Sequence, residues 1–271
     1  MSKRSYERRI RAKREAARAA RKRAERMRKL RMAASIAGAI ALALILFFVF
    51  KPGKSKPSAS PTTSSSATPI AGCTQPTPVP TPNGKKFTKA PAMTIDTNKI
   101  YVATFETSCG TVKMRMDPKT AAASVNNFVF LARQGYFDGT TIPRVQNSPT
   151  FQIVQAGSQT GTISGGVDYK YPGETPAPGT KYTRGVVAMA NSGGPSTNGS
   201  QFFFVLSPST PGLDQQASFS IFGKVDDAAS LTMLDRILTA TGPAIPGGSL
   251  GITPDPPIYI EKVTIEELKR G

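Results

Sequence analysis

The sequence predicts a mainly β domain, an antiparallel barrel or sandwich with two helices at its ends, carried behind an apolar span and a proline-rich linker. Three observations predict it. Short apolar runs with strand-like alternation recur from about Met93 onward, separated by Gly, Pro, Asn and Ser. Two stretches of that region carry helical periodicity, each behind an aspartate that can cap it. The texture of the chain also changes abruptly near residues 31, 50 and 92, which divides it into 1–31, 32–50, 51–92 and 93–271.

Residues 1–31 hold 15 Lys/Arg against 3 Asp/Glu, a net of +12 in a chain whose total is +18. They lack Gly and Pro, a composition that favours helix. Met32 to Phe50 is an uncharged run of 19 residues. At 1.5 Å per residue such a helix covers about 28 Å, close to the hydrocarbon thickness of a bilayer. The basic excess lies on its N-terminal side, so the expected topology is a single-pass cell-membrane protein with a cytoplasmic N-terminus and an extracytoplasmic C-terminal domain. A cleaved signal peptide is the alternative, against which stand the long basic region and the bulky Phe48-Val49-Phe50. Residues 51–92 are rich in Pro, Ser, Thr and Lys and contain no acid, as expected for a disordered or polyproline-like tether.

The first globular strand is Ile100 to Thr107, turned by Ser108-Cys109-Gly110 and returned by Thr111 to Met116. Asp117-Pro118 starts a helix whose apolar face is Val125, Phe128, Val129, Leu131 and Ala132, ended by Gly135. Further strands are expected at Phe151–Ala156, Val186–Ala190, Phe202–Leu206, Phe219–Val225 and Ile258–Ile265. Asp226 to Leu238 is the second helix, with Leu231, Leu234, Ile237 and Leu238 inward. Cys73 and Cys109 lie on the expected outer side, where a disulfide persists. A bridge between them, two separate thiols, or a link to another chain are all compatible with the sequence.

The residue inventory excludes much chemistry. The chain has no His, no Trp and two Cys 36 positions apart. That removes the Ser-His-Asp triad, the Cys-His pair, the His general base and the common zinc sites. No phosphate-binding loop or dinucleotide fingerprint is present. A function with neither cofactor nor metal is expected. The segment Asn191 to Phe204 offers one. Its Gly and Asn residues form a tight loop that runs through Gln201 into Phe202-Phe203-Phe204. An amide beside an aromatic wall suits an extended peptide, with amides for its backbone and a pocket for one side chain. A glycine loop leading into a core strand is the plainer interpretation of the same residues.

Three other segments settle that choice: Asn126 to Thr141 leading to Arg144, Gln155-Ala156-Gly157 followed by Gly161–Gly166, and Ile221 to Val225. In order and spacing, and nearly position by position across Gly185–Asn191 and Asn198–Phe203, the chain from about Ile100 to Ile265 resembles the cyclophilin family of peptidyl-prolyl isomerases. The resemblance implies an eight-stranded antiparallel barrel capped by two helices. It implies that Arg144 is the catalytic arginine and Gln155 the glutamine that orients it. It implies a proline pocket with Phe203 as floor, Ile153 and Leu213 as walls, and Phe151 and Phe219 beside them. Ala190 and Asn191 would bond the substrate backbone, and Gln201 would line the same groove. The chain departs from the family pattern at Pro143, where a His is usual, and at Gly212, where an aromatic is common. Phe219 stands where His or Tyr is usual. The segment from Val145 to Phe151 is longer, and counting back from Gln155 puts the family's pocket Phe at Gln152, with Phe151 one place away.

The expected function is isomerisation of X–Pro bonds in exported or envelope proteins by a membrane-anchored monomer, with proline-containing polypeptides as partners. A proline-peptide binding module or chaperone with weak or no catalysis is the alternative. Nucleic-acid binding through residues 1–31 is not expected, since a basic segment beside an apolar span suits anionic lipid.

Overall fold

In a computed structural model, which describes residues 70–216, 218–247 and 250–270, β1 (Lys99–Thr107) and β2 (Gly110–Met116) pair antiparallel from Tyr101↔Met116 to Thr107↔Gly110. The alternation that marked them as strands sorts their side chains. Tyr101, Ala103 and Phe105 are buried opposite Met116, Met114 and Val112. The chain continues through α1 (Pro118–Arg133), β3 (Thr140–Thr141), β4 (Arg144–Ser148), β5 (Phe151–Ala156), β6 (Val186–Met189), β7 (Phe202–Val205), α2 (Pro211–Gln216), β8 (Ile221–Lys224), α3 (Ala228–Leu238) and β9 (Tyr259–Lys269).

All nine strands form one antiparallel sheet in the order β3-β9-β1-β2-β8-β6-β7-β5-β4. The two edge strands, β3 and β4, are separated in sequence only by Ile142 and Pro143. The sheet must therefore curl until its edges lie a dipeptide apart. This corrects the eight-stranded barrel to a nine-stranded curled sheet, and Pro143 supplies the reason. Proline has no N–H for a ladder, so one strand is cut into β3, which joins β9, and β4, which joins β5. A third short helix, α2, was also not expected.

The core fills the concave side of the curl. Phe105, Phe128, Phe202, Phe204 and Phe222 meet edge-on or tilted, with centroids 5.4–6.2 Å apart. Helix α1 packs against β8, β9 and β1, and α3 against β2, β5 and β4. Asp117 caps α1, accepting from Lys119 N at 2.9 Å, with Pro118 in the first turn. Ala121 leaves helical dihedrals near the start of α1, and Glu174 braces the helix just beyond it. Its carboxylate accepts from Ala123 N and Ser124 Oγ, both at 2.6 Å.

The expected span at 32–50, the basic segment 1–31 and the tether as far as 69 lie outside the described residues. Among the described residues no helix is long and apolar enough to cross a membrane. The tether expectation is corrected from residue 70 onward. Ile70 is buried, Cys73 and Cys109 form a disulfide, and Arg236 Nη1 donates to both Gly72 O and Cys109 O. Asn83 Nδ2 donates to Gly135 O at 2.7 Å, and Phe87 packs edge-on against Phe130 at 5.3 Å. Pro-rich composition denies this segment its own helix or strand. It does not prevent the segment from burying Ile70 and Phe87 against the domain.

Candidate active site

The β4–β5 hairpin sets the geometry. Arg144 pairs with Gln155, Gln146 with Ile153, and Ser148 with Phe151, so these six residues share one face. Val145 and Val154, paired on the other face, are buried in the main core. The longer segment after Arg144 has thus become regular strand around a turn at Pro149-Thr150. Phe151, two residues before Ile153, lies on the groove face. Gln152 is turned away and donates to Asn147 Oδ1 at 2.8 Å.

Strand β7 continues that face. Phe203 pairs with Gln155 on one side and Ala188 on the other, while Phe202 and Phe204 point into the main core. The three phenylalanines divide between two cores because successive strand residues face opposite ways. A second apolar cluster forms on the convex side from Ile153, Tyr182, Ala188, Phe203, Val205 and Leu213, with Phe151, Ala190 and Phe219 packed against it. The six apolar residues expected to bind substrate, Phe151, Ile153, Ala190, Phe203, Leu213 and Phe219, all meet there. Phe219 stands edge-on to Phe203 at 5.5 Å and to Tyr182 at 6.3 Å. At Gly212, beside Leu213, an added Cβ would meet open space.

A polar chain borders this cluster. Arg144 Nη1 donates to Gln155 Oε1 at 3.2 Å, and Gln155 Nε2 donates to Gln201 Oε1 at 2.8 Å. Gln201 Nε2 then donates to Ile163 O at 3.0 Å and to Gly165 O. A guanidinium can only donate. That fixes the amide of Gln155 oxygen-first toward Arg144, and hence the orientation of Gln201. Gly157, at φ +91, lets the chain leave β5 directly under Ser200 O, which a Cβ would approach to 2.3 Å. Across Gln201 lies a cleft of about 270 Å³ lined by Gln155, Gly165, Lys170, Asn191, Ser192 and Gln201. The Asn191 side chain is committed within the protein, donating to Ser218 O at 2.9 Å in the segment before β8 and accepting from Gly194 N of its own loop at 3.0 Å.

Arg144 is half-buried, and burial lowers its pKa from the ordinary arginine value. Its partners are neutral: Gln155, Gln146 and the Leu250 carbonyl. Among the described residues no carboxylate pairs with it. The guanidinium is therefore held in place with its charge unneutralised. Among the described residues no group of acidic or cysteine side chains could hold a metal ion.

Sequence reasoning missed three contributors. Gln146 was detectable, since strand period two puts it on the same face as Arg144. Tyr182 had no local signal, because its position is set by contacts distant in sequence. Its hydroxyl donates to Phe219 O at 2.8 Å and accepts from Phe219 N at 3.0 Å, and its backbone N donates to Asp214 Oδ1 at 2.8 Å. Leu250 acts through its carbonyl, which residue type does not reveal.

A family model described as "Cyclophilin type peptidyl-prolyl cis-trans isomerase/CLD" matches residues 102–265, and the chain belongs to that family. It is 34% identical over 171 residues to a protein of Mycobacterium tuberculosis named probable peptidyl-prolyl cis-trans isomerase B, covering 59% of this chain and 53% of that protein. It is 34% identical over 139 residues to a peptidyl-prolyl cis-trans isomerase of Helicobacter pylori, covering 51% of this chain and 82% of that one. The match thus spans about half the length of the mycobacterial relative. The crystal structure of a cyclophilin type peptidyl-prolyl cis-trans isomerase of Cryptosporidium parvum superposes with TM-score 0.50 and 30% identity, over 62% of this chain and 98% of that chain. A second crystal structure of the same protein was determined in the presence of the dipeptide Ala-Pro.

Proposed function

We propose that this chain catalyses cis–trans isomerisation of X–Pro peptide bonds, with Arg144 as the catalytic residue. Amide resonance opposes rotation by about 18–20 kcal/mol. Resonance requires the nitrogen lone pair in the π system. A cation that donates a hydrogen bond to the prolyl nitrogen holds that lone pair out of conjugation in the twisted state. The bond is stronger in the transition state than in either planar isomer, which is the condition for lowering the barrier. Arginine meets the requirement at any physiological pH, and each 1.36 kcal/mol gained is a factor of ten in rate. The observation that carries the proposal is the placement of an unneutralised Arg144 on the face shared by Gln155 and Phe203. The prolyl ring would fill the pocket of Phe203, Phe151, Ile153 and Leu213. The substrate backbone would run along Ala190, Asn191 and Gln201. No proton leaves and no metal or cofactor takes part.

The proposed setting is a cell-membrane anchor at residues 32–50, with the domain outside the cytoplasm and exported or envelope polypeptides as clients. The basic, apolar and proline-rich order of residues 1–69 supports it. The Cys73–Cys109 disulfide, suited to an oxidising compartment, is a second support. A binding role with weak catalysis is the second reading, favoured by the open edge of the pocket at Gly212. The test uses the full chain in detergent micelles and follows cis–trans exchange of an Ala-Pro peptide by NMR. Exchange accelerated by wild type and lost in Arg144→Ala supports catalysis. Peptide binding without acceleration supports the binding role. Protease added to intact cells checks topology: removal of the domain is expected, and protection argues against an outward orientation.

A further inference from the structure

Arg144 is gripped from two sides. Gln155 holds Nη1 across the β4–β5 ladder. On the other side Gln146, two residues along the same strand face, accepts from Nη2 at 2.5 Å. The Leu250 carbonyl accepts from Nε. Each of the three guanidinium nitrogens thus donates to a neutral protein oxygen, and the plane of the fork is fixed.

The local structure is built to keep Gln146 there. It lies in the segment that is longer than the family pattern, and strand pairing with Ile153 directs it to the groove face. The edge of β4 is tied to the loop before β9: Val145 N donates to Ile252 O and Ile252 N to Val145 O, both at 2.9 Å. Between them Gly251, at φ +93, lies against Gln146. A Cβ at 251 would approach Val145 O to 2.3 Å and Gln146 Cβ to 3.0 Å. Only glycine lets the loop come close enough to present Leu250 O to Arg144 while pressing on Gln146.

We infer that Gln146 is a positioning residue of the reaction, one half of a two-sided amide clamp whose other half is Gln155. This rests on the proposed role of Arg144 and extends it. The second amide removes rotation of the guanidinium about its Nε–Cζ bond without neutralising its charge. A carboxylate in that place would hold the fork equally well and weaken its donation to the prolyl nitrogen.

The experiment uses the full chain in detergent micelles, with wild type, Gln146→Leu and Gln146→Glu. It reads kcat and KM separately, together with the ¹⁵N-resolved Nη–H signals of Arg144. In wild type, the two held Nη groups are expected to give separate, slowly exchanging signals. Gln146→Leu should merge or broaden them and lower kcat about tenfold with KM unchanged, since the apolar pocket is not touched. Gln146→Glu should keep the signals separate and still lower kcat severalfold. A purely structural Gln146 would leave the Nη spectrum and the ratio of kcat to KM as in wild type for both variants, and that result overturns the inference. If wild type itself does not accelerate exchange, the catalytic reading fails. The Nη spectrum then still decides whether Gln146 holds Arg144.

Discussion

Arg144 and Gln155 face each other across the β4–β5 ladder, with Nη1 donating to Oε1 at 3.2 Å, although eleven positions separate them in sequence. The pairing puts the cation and its orienting amide on the face that also carries Phe203. The same geometry predicts how the site responds when its parts are changed.

Arg144→Ala should lower kcat/KM by about 10²–10³, the scale for removing one transition-state donor. Arg144→Lys keeps the charge and loses the planar fork that Gln155, Gln146 and Leu250 engage, so it should recover only a small part of the rate. Wild-type rates should be flat between about pH 6 and 8, because the chain contains no His and Arg144 stays charged even with its pKa lowered by burial. NMR exchange rates across that range check all three.

Tyr182→Phe should loosen the pocket while Arg144 stays intact. The lost hydroxyl bonds both the N–H and the C=O of Phe219, and leaving such groups unpaired costs about 1–3 kcal/mol. Urea unfolding should show that loss. KM for a Pro peptide should rise severalfold with a smaller change in kcat, since Phe219 borders the floor at Phe203.

Reduction of Cys73–Cys109 should destabilise the domain by up to about 4 kcal/mol, the chain-entropy value for two residues separated by 36 positions. The urea midpoint should fall on adding dithiothreitol. A Cys73→Ser/Cys109→Ser variant should already have the lower midpoint and be insensitive to the reductant.

Asp117 both caps α1 and forms a bidentate pair with Arg270, and the bond from Arg270 draws its pKa down from 3.8 to about 2. A carboxyl with a lower pKa in the folded state stabilises fully above its unfolded value, and the contribution is lost as pH falls through the folded one. Wild type should therefore exceed Asp117→Asn in stability by a constant amount above about pH 5. The difference should shrink between about pH 4 and pH 2. Urea midpoints from pH 2 to 6 measure it.

Much of the fold was legible because it is written in local pattern. The alternation in Ile100–Thr107, the Asp117-Pro118 start and the periodicity of Asp226–Leu238 each specify an element through its own neighbours, and each recurs close to the expected bounds. The candidate site was legible through a resemblance that spans many positions. Its apolar residues Phe151, Ile153, Ala190, Phe203, Leu213 and Phe219 meet in one cluster.

What the sequence by itself determined is therefore the order of elements, the absence of any histidine chemistry and, through the family resemblance, the set of apolar residues that meet in one cluster. Only the tertiary structure decided the rest. Register put Phe151 and not Gln152 on the groove face, since a ladder couples residues whose spacing no local period specifies. Pro143, lacking an N–H, left the sheet as nine strands with edges at β3 and β4. Long-range contacts turned a proline-rich segment into a strap held by Cys109 and Phe130, and brought Leu250 and Tyr182 to the groove. Those contacts join residues up to 106 positions apart. They exist only once the sheet has curled and the cost of closing such loops has been met by the buried core.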